Sequence, residues 1–138
     1  GINGKISELQ AAMGLAVLPH LDRIIAVRKE VVDFYLNHLN FGILRTMLLR
    51  ENTHWNYSYF PVIFESEAQL LRVQKALNDH EIFPRRYFYP SLNKVGYIKD
   101  TAMPISESIA QTILCLPLSH ALHSDDVTQI VNLINANL

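Results

Sequence analysis

Residues 55–64 read WNYSYFPVIF, and their pattern decides the fold class. Phe60, Val62 and Phe64 alternate with other residues and the run is rich in aromatics, the signature of a strand with one buried face. The reading predicts a strand from Trp55 to Phe64. Pro61 has no N–H to give a ladder, so it is expected on an edge or at a bulge. A strand with one apolar face needs a single partner layer, so the flanking segments should supply helices to cover it.

Working outward, Ser66 and Gln69 stand at capping-box spacing, and Leu70, Val73, Ala76 and Leu77 carry a helix to about Asp79. "IFPRRYFYP" (82–90) reads as a short strand stopped by Pro90. Ile105 to Thr112 is a short helix, and "ILCLPL" (113–118) a buried strand ended by Pro117. Ser124 is expected to cap a last helix whose stripe is Val127, Ile130, Val131 and Ile134. Towards the start, Ser7 and Gln10 form another capping-box pair, and Leu9, Met13 and Ala16 give that helix an apolar face. Pro19 implies a break near Leu18. Leu21, Ile24, Ile25, Val32, Tyr35, Leu36 and Leu39 then recur at helical spacing until Gly42 ends the pattern.

The fold class is therefore α/β of the α+β type. A small, mainly antiparallel sheet of about three strands has helices on one face and is preceded by a long two-part helix. The whole of 1–138 is read as one domain, with 1–40 a linking helix region and 41–138 a small α/β unit. The helix region looks like a strut leading in from something else.

With 138 residues, 49% of them hydrophobic and 18% charged, and a mean hydropathy of +0.09, the chain can bury one core. The formal net charge of −1 leaves no footprint for nucleic acid or an anionic membrane. No signal peptide and no long apolar span is read, and the lone Cys115 cannot form an internal disulfide, so a reducing, cytoplasmic setting is expected.

Most chemistry-bearing constellations are missing. Six histidines are scattered. His120 and His123 lie close together but lack the cysteine or carboxylate that would complete a shell, so no metal site is assigned. Cys115, between Leu114 and Leu116, reads as a buried structural thiol. There is no GxSxG, P-loop or GxGxxG motif.

Two stretches stand out. Gly1 and Gly4 bracket Asn3 just before a helix start, which fits either an anion grip or a turn that uses Asn3 for its backbone tolerance. In "RRYFYPSLNKVGY" (85–97), Arg85, Arg86, Tyr87, Tyr89, Asn93 and Tyr97 crowd together. Arginine for phosphate or carboxylate beside stacking tyrosines fits a phosphorylated, ring-bearing ligand, and an aromatic edge strand with solvated arginines fits equally.

"GINGKISELQAAMGLAVLPHLDRIIAVRKEVVDFY" (1–35) resembles the segment that follows the large domain in DegT/StrS-type sugar aminotransferases, Gly-x-Asn-x-Arg-Met-Ser-Glu-Leu-x-Ala-Ala. Gly1, Asn3, Ser7, Glu8, Leu9, Ala11, Ala12 and Gly14 fall in register, and Lys5 and Ile6 are mild departures. "HEIFPRRYFYPSL" and "LCLPLSHALHSDDVTQIVNLI" resemble two later segments, so the likeness spans nearly the whole chain. It implies the C-terminal small domain of a fold-type I enzyme that uses pyridoxal 5'-phosphate. Such enzymes move an amino group, commonly from glutamate, to a keto nucleotide-sugar such as a dTDP-4-keto-6-deoxyhexose, for surface polysaccharide or other deoxyaminosugar biosynthesis.

The resemblance further implies that Asn3 reaches the cofactor phosphate of the neighbouring subunit in a homodimer. Arg86, Tyr87 and Tyr89 would line the substrate side of the cleft, with Asn93 near a position where many members have a histidine. The partners implied are an upstream large domain of the same chain, a second subunit and the nucleotide sugar, without nucleic acid or membrane. Lys5, Lys29, Lys75, Lys94 and Lys99 do not match the family's aldimine lysine. No catalytic residue is therefore assigned, and the chain alone is expected to be inactive and not to bind the cofactor covalently. Two alternatives come from other classes: a regulatory or ligand-binding module that kept the fold, and an interaction domain whose first helix pairs with a partner.

Overall fold

The computed structural model describes residues 4–87, 89–98 and 101–138. Ser7 caps the first helix, α1 (Glu8–Val17), through a full capping box: its Oγ accepts from Gln10 N–H and Gln10 Oε1 accepts from Ser7 N–H. A 3₁₀ turn at Leu18–His20, with Pro19 in its first turn, joins α1 to α2 (Leu21–His38). This is the break that Pro19 implied. Asn135 ties off the far end of α2, its carboxamide donating to His38 O at 2.8 Å and accepting from Asn40 N–H at 3.1 Å. That tie satisfies a helix-end carbonyl that would otherwise be orphaned.

Three strands follow: β1 (Arg45–Thr46), β2 (Phe60–Ile63) and, after α3 (Glu67–Asn78) and α4 (Pro104–Thr112), β3 (Ile113–Leu116). They form one antiparallel sheet in the order β1-β2-β3, and α5 (Ser124–Ala136) closes the chain. Phe60, Val62, Leu114 and Leu116 face Val32 and Tyr35 of α2, Leu70, Val73 and Leu77 of α3, and Ile130 and Ile134 of α5 in one buried cluster. The sheet's other face carries Cys115, Ile113 and Ile63, which stay only half-buried. The expected architecture, a small antiparallel sheet with helices on one face, is the one observed.

Several local expectations are corrected. Residues 55–59 are irregular, because Tyr57 sits at φ +51°, in the left-handed region where a strand cannot continue. Its ring packs instead on Trp55 with centroids 4.5 Å apart. Among its described residues "IFPRRYFYP" contributes not a strand but one antiparallel bridge, Arg85 with Cys115. The third strand is β1, two residues that carry too little alternation to be seen in the sequence. Ser66 accepts from Gln69 N–H, yet the Gln69 side chain reaches Glu65 N–H rather than Ser66, so only half of that box forms. The cap of α5 is His123, whose N–H donates to Asp126, one residue before the expected Ser124.

Pro61 lies in the central strand, not at an edge, for a readable reason. Both main-chain groups of its partner Cys115 are turned away towards Arg85, which makes Pro61 and Cys115 a non-hydrogen-bonded pair. The proline nitrogen therefore points to the β1 side, where β1 stops opposite Val62, and Thr46 Oγ1 donates to Pro61 O at 2.6 Å. No N–H is called for at that position.

α1 differs from the rest: none of its residues is buried, and Leu9 and Leu15 are each 72% exposed. A helix apolar on so much of its surface is built to be covered. No helix among the described residues is long and apolar enough to cross a membrane.

Tyr35 is fully buried against Phe60 and donates its hydroxyl to Pro117 O at 2.8 Å. Tyr35→Phe should lower stability by about 1 kcal/mol, read from the urea midpoint at pH 7, because a carbonyl loses its donor. Burial raises the phenol above its usual value of 10.0. Folding then favours the protonated form, and this part of the stability is present below that value and is lost as pH rises above it. The gap between wild type and variant should narrow above about pH 10, and a gap constant to pH 11 would contradict the role given to Tyr35.

Candidate active-site surface

The cluster at 85–97 is organised by one backbone bridge. Arg85 N–H donates to Cys115 O at 3.0 Å and Cys115 N–H donates to Arg85 O at 2.8 Å. Paired residues share a face and successive residues alternate. Leu114 and Leu116 point into the core, so Cys115 and Arg85 lie on the open face and Arg86 turns the other way, towards the helices.

There Arg86 is anchored through one nitrogen. Its Nη2 donates to Glu67, in the first turn of α3, and to Gln111 O, near the end of α4, at 2.9 Å. The guanidinium carbon stands 3.5 Å from the centre of the Tyr89 ring, a close cation–π contact. Only 14% of the Arg86 side chain is exposed, while Nε is buried without a hydrogen-bond partner among the described residues. Glu67 is the hub: Arg86, hydrogen-bonded to it, and then Tyr89 hold its carboxyl below the usual carboxylate value. Glu67 thus links two residues expected at the substrate side. Sequence reasoning missed it because a Glu in the first turn of a helix has an ordinary explanation in the helix dipole.

Asn93 is likewise engaged from within. Its Oδ1 accepts from Ser91 Oγ at 2.7 Å, and its Nδ2 donates to Thr101 O at 2.8 Å and to Glu107 Oε1 at 2.7 Å. Glu107 also accepts from Met103 N–H at 2.9 Å, so one carboxylate on α4 fastens the loop at two points. Glu67 thus holds Arg86 where this stretch begins, and Glu107 straps Asn93 and Met103 where it ends.

What this strapping presents is aromatic. Tyr87 is a wall shared by two cavities of about 290 Å³ each, one on the open sheet face with Tyr59 and Arg85, the other with Leu92 and Ile109 towards α4. Tyr59 and Tyr87 meet edge to face at 5.2 Å, and the Arg85 guanidinium lies 5.9 Å from the Tyr87 ring centre. Cys115 is half-buried rather than buried, and it lines the first cavity; desolvation raises its thiol above the usual value, which keeps it protonated and unreactive. Tyr97 is 85% exposed and stands apart from this group.

Asn3 and Lys99 lie outside the described residues. Lys29, Lys75 and Lys94 are each paired with a carboxylate, Asp33, Asp79 and Glu107 respectively. Lys5 is exposed ahead of α1, and none of these four lysines lines either tyrosine-walled cavity. Among the described residues no group of three or more His, Cys, Asp or Glu is placed to hold a metal ion.

The sequence profile of the DegT/DnrJ/EryC1/StrS aminotransferase family matches residues 1–135. The chain belongs to that family. It is 36% identical over 143 aligned residues to the dTDP-4-amino-4,6-dideoxy-D-glucose transaminase of Escherichia coli, an alignment that takes in 97% of this chain and 38% of that protein. Among solved structures it superimposes on the aminotransferase TlmJ from Streptoalloteichus hindustanus with a TM-score of 0.83 at 25% identity, over 92% of this chain and 35% of that one. It also superimposes on DesI, determined in the presence of its TDP-sugar product, with a TM-score of 0.84 at 25% identity, over 99% of this chain and 36% of that one. The chain thus spans little more than a third of the length of these family members.

The Glu67 hub gives a pH test. Its carboxyl titrates lower in the folded state than in the unfolded chain, so the stability it adds is complete above the usual value of 4.5 and is lost as pH falls through the folded value. Glu67→Gln should melt at a lower temperature than wild type at pH 7, and the two melting curves should converge below pH 4.5. Parallel curves down to pH 3 would mean that the carboxylate holds nothing.

Proposed function

We propose that this chain is the C-terminal small domain, residues 1–138, of a pyridoxal phosphate-dependent aminotransferase. In it, residues 1–40 form the link to a large upstream domain and 41–138 form the small α/β unit. The enzyme transfers an amino group from glutamate to a keto nucleotide-sugar, with a dTDP-4-keto-6-deoxyhexose as the preferred class, in the cytoplasm, for deoxyaminosugar and surface polysaccharide biosynthesis. The observation that carries this reading is the 36% identity to a dTDP-sugar transaminase along 97% of the chain. The exposed apolar surface of α1 supports it, since a large domain would cover that surface.

Within this reading the labour divides between this chain and the large domain. The cofactor, when bound, supplies the electron sink for amino transfer and is held by a lysine of the large domain. Asn3 contributes to the cofactor phosphate of the second subunit in a homodimer. Tyr87 and Tyr89 face the substrate from the strapped segment, and Arg86 and Asn93 act from beneath it by fixing its course.

The test uses the longer protein that carries this chain, alongside the chain itself. The longer protein should convert bound pyridoxal phosphate to the amine form on addition of glutamate, read as loss of the visible absorbance of the lysine-bound cofactor. The 138-residue chain should give no borohydride-trapped lysine adduct. A stoichiometric adduct on a lysine of this chain, or no response of the longer protein to glutamate, would overturn the reading. Asn3→Ala in the longer protein should weaken cofactor retention about tenfold on dialysis, the worth of one charge-assisted hydrogen bond.

A further inference from the structure

We propose that Arg85, and not its neighbour Arg86, is the anion-binding arginine of this surface. With Tyr59 and Tyr87 it forms a subsite for the diphosphate of a nucleoside diphosphate. The identity of the ligand rests on the aminotransferase reading above; the assignment of the arginine rests on geometry.

The two arginines are adjacent in sequence and opposite in fate. The bridge to Cys115 sends Arg86 towards α3 and α4, where Glu67, the Gln111 carbonyl and the Tyr89 ring occupy its head group. With Nη2 given to Glu67 and Gln111 and its face on Tyr89, the Arg86 guanidinium has fewer donors left for a phosphate than Arg85, and its Nε is buried. Arg85 is exposed on the open face, and its recorded side-chain neighbour among the described residues is the Tyr87 ring, with no carboxylate. Its five donors are available in the fork that matches phosphate oxygens. Its main chain is nevertheless fixed by two hydrogen bonds to β3, so the stem starts from a defined place and less freedom is lost on binding.

The surroundings suit an anion carrying a ring. The cavity of about 290 Å³ beside Arg85 is lined by Ser58, Tyr59, Phe83, Tyr87 and Cys115 as well, and no acidic residue is among its walls. Tyr59 is 55% and Phe83 69% exposed, large rings left uncovered at a cavity mouth. Ser58 and Tyr59 add hydroxyl donors, and Cys115 stays neutral and does not repel the ligand. The volume is at the small end for ligand pockets, so it accepts one end of a sugar nucleotide rather than the whole. Tyr87, which borders both cavities, is where the two ends of the substrate would meet.

The experiment is done on the longer protein loaded with pyridoxal phosphate. dTDP binding is followed by calorimetry, and KM and kcat are measured for the keto sugar nucleotide. Arg85→Gln should weaken dTDP binding tenfold or more, leave thymidine binding within threefold of wild type, and raise KM more than it lowers kcat. Arg85→Lys should recover part of the loss, as a point charge without the fork would. Unchanged dTDP affinity in Arg85→Gln would overturn the proposal. So would a variant that loses pyridoxal phosphate on dialysis while binding dTDP normally, since the arginine would then serve the cofactor's phosphate. Failure of the wild-type protein to respond to glutamate is a separate result, and it would overturn the aminotransferase reading rather than the place of Arg85.

Discussion

The pairing of Arg85 with Cys115 is the constraint from which the rest of this surface follows. A single antiparallel bridge, too short to be a strand, decides which of two neighbouring arginines turns to the helices and which to the open sheet face. It turns the main chain of Cys115 away from β2, and so leaves Pro61 a place in the central strand without an orphaned partner. It also sets the starting point of the segment that Glu67 and Glu107 strap down. Two hydrogen bonds are worth only about 1–3 kcal/mol net. Their consequence is directional rather than energetic.

The helical layer provides the rigid side of this arrangement. Glu67 and Glu107 each sit in the first turn of a helix, α3 and α4, where a negative charge also complements the helix dipole. Each carboxylate then serves twice, as helix-terminal charge and as anchor for the loop between. Side chains placed by packed helices are held more closely than those placed by loops alone. The aromatic loop therefore borrows its order from α3 and α4, which in turn rest on the buried cluster around Leu70, Leu77 and Leu114.

Much of this was legible in the sequence, and the parts that were not share a cause. Periodicity located the helices because their apolar stripes are complete, and Ser7 with Gln10 marked the start of α1 to the residue. Fold class followed from the one-sided alternation of Phe60, Val62 and Phe64. Failures came where pairing was local to the fold: β1 is two residues long, 82–90 makes one bridge, and Tyr57 leaves the strand through a positive φ that no pattern announces. In the site, composition singled out the arginine–tyrosine cluster, and family resemblance then favoured Arg86. Which arginine is occupied depends on Glu67, eighteen or more residues away in sequence, and on the parity of one bridge, neither of which spacing reveals.

Glu67, Gln111 and Tyr89 hold the Arg86 guanidinium, while among the described residues Arg85 has no carboxylate partner. ¹⁵N NMR of the arginine side chains at pH 7 reads this directly, through rotation about the Nε–Cζ bond and exchange of the guanidinium protons. The account predicts slow rotation and protected Nη protons for Arg86, lost in Glu67→Gln, with Arg85 fast and unprotected in both proteins. Equal mobility of the two head groups in the wild-type protein, or restraint of Arg85 in place of Arg86, would contradict it.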